Sequence, residues 1–131
     1  KVWMLYLDLY VLDHDGNLID AGALAGMAAL LNAKMPRYED EKVISDKSNK
    51  QLPLKNTVVA CTAAKIGKHF LLDPTLDEEA AMEGRVTIAT TPEHICAGQK
   101  SGSAAITRDE LLELADLSFA KGRELRKLVE Q

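Results

Sequence analysis

Cysteine is scarce in this chain, with only Cys61 and Cys96, and two thiols so far apart cannot form a disulfide framework. Each lies in a strand-like run, which predicts two reduced, buried thiols. Positive charge is also short. Sixteen Lys and Arg against twenty Asp and Glu leave a net charge of −4, so no uniform basic surface exists to condense onto a nucleic-acid backbone. Any such binding must be local or shared with a partner. No apolar run reaches the roughly 20 residues of a membrane-spanning helix, and no signal peptide is recognisable. These absences point to an intracellular, cytoplasmic protein. An initiator Met is missing too: Lys1-Val2-Trp3 enters a strand-like run at once, which reads as the middle of a longer text.

Apolar residues make up 47% and charged residues 27% of the 131 positions, the balance of a folded domain with its own core. Val2 to Leu12 alternates, with Trp3, Leu5, Leu7, Leu9 and Val11 on the face expected to be core and Met4, Tyr6, Asp8 and Tyr10 on the other. The stretch "VLDHDGNLIDAG" follows, its Asp15-Gly16-Asn17 centre having turn chemistry. Asp20 is the expected N-cap of a helix. From Ala21 to Ala33 that helix carries no charge, so cover is expected on nearly all sides, with an end at Met35-Pro36.

Residues 37–56 are polar and weakly periodic, an excursion with room for a short hairpin and the expected domain boundary. Then "TVVACTAAKI" and "HFLLD" predict two strands turning at Gly67-Lys68, and "TLDEEAAMEG" a short acidic helix. "RVTIATT" and "HICAGQK" predict a second hairpin around Pro92-Glu93. Thr107 and Glu110 have capping-box spacing, opening a helix to Val129 with Leu111, Leu114, Ala115, Phe119, Leu125 and Leu128 as its packing stripe. The order is ββ(α)ββα, in which one helix can cover one face of a four-stranded sheet.

Three groups of residues invite a functional reading. The Asp15 to Asp20 turn could be an anion nest at a helix N-terminus, but Leu18 and Ile19 stand where donors and positive charge are needed, so chain reversal is the better reading. Asp73, Asp77, Glu78 and Glu79 could hold Mg²⁺ or serve acid–base chemistry; carboxylates at a helix start are more often there for the helix dipole, and Arg85 lies near to offset them. His69, His94, Cys61 and Cys96 lack the spacing of a zinc site, and no metal or other cofactor is expected. The "GQKSGS" loop could touch a phosphate backbone through Lys100, the weak RNA-binding candidate, or only connect two elements.

The order of "WMLYLDLYVLDHDGNLIDAGALAGMAALLNAKMP", "AKIGKHFLLDPTLDEEAAMEGRVTIATT", "HICAGQKSG" and "KGREL" resembles the C-terminal half of an RNase PH-type subunit, in particular the non-catalytic one of the archaeal exosome. The resemblance implies an α+β fold, an RNase PH-like two-layer α/β sandwich. Residues 1–55 would be the last strand, the helix and an excursion of an incomplete first domain, and 56–131 the C-terminal-type domain. In active relatives the strand-to-helix junction carries hydroxyl and Arg residues that hold the attacking phosphate; here those positions fall at Leu18 and Ile19. The family's acidic pattern maps to Asp73, Glu79 and Arg85, so one acid stays, one is Glu and one has become a cation. The resemblance therefore implies a decayed active site and no catalytic residue. It implies a partner as well: a catalytic RNase PH-type paralogue, three heterodimers closing a hexameric ring that threads single-stranded RNA. An active phosphorolytic 3′-5′ exoribonuclease and a scaffold module with no RNA role are the alternatives.

Overall fold

The computed structural model describes residues 2–44 and 50–130. Helix α1 spans Leu18–Asn32, and short strands β1 (Lys34–Met35), β2 (Arg37–Glu39), β3 (Lys42–Ile44) and β4 (Lys50–Gln51) follow. The predicted hairpin is β2–β3, turning on Asp40 and Glu41, both at positive φ; positions 45–49 of the excursion lie outside the described residues. Next come β5 (Val59–Ile66), β6 (His69–Leu72), α2 (Leu76–Ala81), β7 (Gly84–Thr90), β8 (Ile95–Gly102) and α3 (Arg108–Val129). All pairings in the four-stranded sheet, ordered β6-β5-β7-β8, are antiparallel. This is the expected ββ(α)ββα unit.

Small and β-branched residues place β5 at the centre of the sheet, with Val59, Ala60, Cys61, Thr62, Ala63 and Ala64 all buried. The core gathers Ala63, Val86, Ile88 and Leu114, with Phe70, Leu72, Ile106 and Ala115 packed around it. Thr107 and Glu110 form the predicted capping box of α3. The buried side of α3, however, is Leu114, Ser118, Gly122 and Arg126, while Leu111 and Leu128 of the predicted stripe are exposed. The reason is local. A Cβ at Gly122 would lie 2.8 Å from Thr90 Oγ1, so the small residue lets the helix approach β7, and Arg126 spends Nη1 on Thr90 O at 2.9 Å.

Three expectations for the first part need correction. Val2 to Leu12 joins no sheet, because no described segment offers it an edge. Its alternation survives: the five predicted core residues are 48–58% exposed, against 68–85% for Met4, Tyr6 and Tyr10. The less exposed face meets α1 where glycine permits, with Leu9 and Leu7 methyls 3.2 and 3.1 Å from the points where Cβ atoms on Gly22 and Gly26 would sit. Helix α1 is not covered all round either, since Ala21, Ala25 and Ala29 form an open stripe. Asp20 is not the N-cap. That place belongs to Asn17, at φ 42 and with no side-chain cap bond, because the Asp20 carboxylate is drawn away to β5.

The two thiols also divide. Cys61 is buried and Cys96 exposed, since β8 is an edge strand without cover on either face. Burial pushes the Cys61 thiol up to about 11, helped by the nearby Asp20 carboxylate, and a thiol so protonated is a poor nucleophile. At pH 8 iodoacetamide should label Cys96 within minutes and Cys61 only after unfolding; equal labelling of both in the native protein would contradict this packing.

Candidate functional site

The strand-to-helix junction is built from β5 outward. In the antiparallel pair β5–β6, the Thr62 main chain points away from β7: its oxygen accepts from Asp73 N at 3.4 Å just where β6 ends. Its amide would then be orphaned at an open strand edge. Asp20, projecting from the first turn of α1, supplies the missing acceptor. Oδ2 takes the Thr62 amide at 2.6 Å and Oδ1 the Thr62 hydroxyl at 2.7 Å. That hydroxyl lies 2.8 Å from Thr87 Oγ1, carrying the chain of polar contacts across to β7. One carboxylate thus fixes the helix to the sheet edge.

Asn17 is the hub of the junction. Its Nδ2 donates to Asp20 Oδ2 at 3.0 Å and to Asp73 Oδ1 at 2.7 Å. Its main-chain amide donates to Glu79 Oε1 at 3.3 Å, and Arg85 Nη1 meets the same oxygen at 3.3 Å. The positions mapped from sequence, Asp73, Glu79 and Arg85, therefore converge on the turn that precedes Leu18 and Ile19. Leu18 is 42% exposed and Ile19 half-buried; neither brings a donor.

Three amides of the turn are used internally. His14 N donates to Asp13 Oδ1 at 2.9 Å, Gly16 N to His14 Nδ1 at 3.4 Å, and Asn17 N to Glu79. Asp15 Oδ1 accepts from Leu76 N at 3.4 Å, at the start of α2. An anion at this turn would lie among the carboxylates of Asp13, Asp15 and Glu79, and like charges repel. Crystals or solutions with tens of millimolar phosphate should show no ion at Asp15 to Asp20; an ion seated on those amides would refute the reading.

The other candidates are not drawn in. Lys100 stands on β8 opposite Val86, so strand periodicity sends it to the opposite face from Arg85, and its Nζ donates to Gly102 O at 2.6 Å. Glu78 closes the capping box of α2 with Thr75. His69 begins β6, His94 precedes β8, and Cys61 and Cys96 sit on different strands. Among the described residues no group of three or more His, Cys, Asp or Glu could hold a metal ion. Sequence reasoning missed Asn17, Thr62 and Thr87, and nothing in their spacing signals a tertiary contact.

The junction is thus a turn closed by its own carboxylates on a ββ(α)ββα unit. Residues 1–36 match the model of the 3′ exoribonuclease family, domain 1, and residues 56–121 that of domain 2. The chain belongs to this family. It is 43% identical to the exosome complex component Rrp42 of Methanothermobacter thermautotrophicus, covering 95% of this chain and 48% of the relative. It is also 43% identical to the Rrp42 of Pyrococcus abyssi, covering 98% and 48%. Among solved structures it is similar to an archaeal exosome core, with TM-score 0.80 and 35% identity over 92% of this chain and 47% of the other. An Archaeoglobus fulgidus exosome with RNA bound to the active site gives TM-score 0.76 and 36% identity over 88% and 44%. The chain spans about half the length of the curated relatives it matches. No helix among the described residues is long and apolar enough to cross a membrane.

Proposed function

We propose that the protein is a non-catalytic subunit of an exosome ring in the cytoplasm, completing the active site of a catalytic RNase PH-type paralogue and lining part of the RNA path. In this reading residues 1–55 belong to the first family domain and 56–131 to the second. One observation carries the non-catalytic assignment: Glu79, held by Arg85, occupies the Asn17 amide at the junction beside Leu18 and Ile19. Phosphorolysis needs a phosphate oxygen as nucleophile and groups that hold it in line, and positioning supplies much of the rate. Here the junction offers aliphatic side chains and a carboxylate. Asp73 survives as an acid, but its Oδ1 accepts from Asn17 rather than standing free. The relatives named Rrp42 support the ring assignment, and the exosome structure with bound RNA supports RNA as the substrate of the assembly.

The experiment is a phosphate-dependent RNA degradation assay, with the protein alone and assembled with a catalytic RNase PH-type paralogue. Alone it should release no nucleoside diphosphate above background; assembled, the activity should exceed that of the paralogue alone. Glu79→Gln should leave the rate of the assembled complex within about twofold, since no chemistry is assigned to Glu79 and a glutamine oxygen can still accept from the Asn17 amide and Arg85. A loss of several orders of magnitude with the ring intact would show Glu79 to be catalytic and overturn the proposal.

A further inference from the structure

We draw no further inference here: the strongest candidate, the open outer edge of strand β8 (Ile95–Gly102), which is exposed along nearly its whole length and carries no proline and one charge, Lys100, to blunt it, carries nothing because nothing in the structure shows what covers it.

Discussion

Replacing Asp20 with alanine should lower the unfolding free energy by about 3 kcal/mol, at the upper end of what one buried polar deletion costs. The Thr62 amide and hydroxyl lose their acceptor together, and Asn17 loses one of two. Thr62 is 1% exposed, so its donors rely on the carboxylate rather than on bulk water. Against a whole-domain stability of roughly 5–15 kcal/mol this is a large fraction. Asp20→Asn should cost about 1 kcal/mol, because its oxygen can take the Thr62 and Asn17 donors while its amide donates to Thr62 Oγ1, which then donates to Thr87. Chemical denaturation of the three proteins checks this. If the Asn and Ala variants lose equal stability, the negative charge matters rather than the count of acceptors, and the edge-cap account fails.

Gly16→Ala should be similarly severe, about 2–5 kcal/mol, combining left-handed strain with overpacking. Gly16 has φ 93, and an added Cβ would lie 2.3 Å from Pro74 O, 2.7 Å from the Thr75 carbonyl carbon and 2.9 Å from Leu76 N. All three are main-chain atoms, so no side chain can swing aside. The turn would have to leave the start of α2, taking Asp15 off the Leu76 amide and Asn17 off Glu79. Gly67 provides the control. It has φ 60 with nothing within 4 Å of an added Cβ, so Gly67→Ala should cost only the strain, about 1–2 kcal/mol. Equal losses at the two glycines in thermal unfolding would show that the Gly16 turn is not packed against Pro74 to Leu76.

The elements of the second part were legible because each depends on neighbours close in sequence. Gly67 turns the first hairpin, Thr107 and Glu110 close a capping box within four residues, and the apolar runs of β5 and β7 mark a buried strand pair. The junction residues were legible as a group only through resemblance: Leu18, Ile19, Asp73, Glu79 and Arg85 are individually ordinary residues until the family's pattern is laid on them. Their convergence on Asn17 is a contact between positions 56 and 62 residues apart, and periodicity holds no information at that range.

Asp20 marks the division most plainly. Its sequence neighbours make it an N-cap, worth about 1 kcal/mol, whereas Thr62, 42 residues away, offers two donors at an open strand edge. The larger tertiary interaction wins, and Asn17 takes the cap position at positive φ. The stripe on α3 held at Leu114, Ala115, Phe119 and Leu125 and failed at its two ends, since hydrophobicity favoured Leu111 and Leu128 while close approach to Thr90 selected Gly122 and buried Arg126. The sequence by itself determined the order and type of the main elements, through turn chemistry, caps and apolar period. Only the tertiary structure decided which carboxylate meets which amide, because a buried or edge donor takes the nearest acceptor in space.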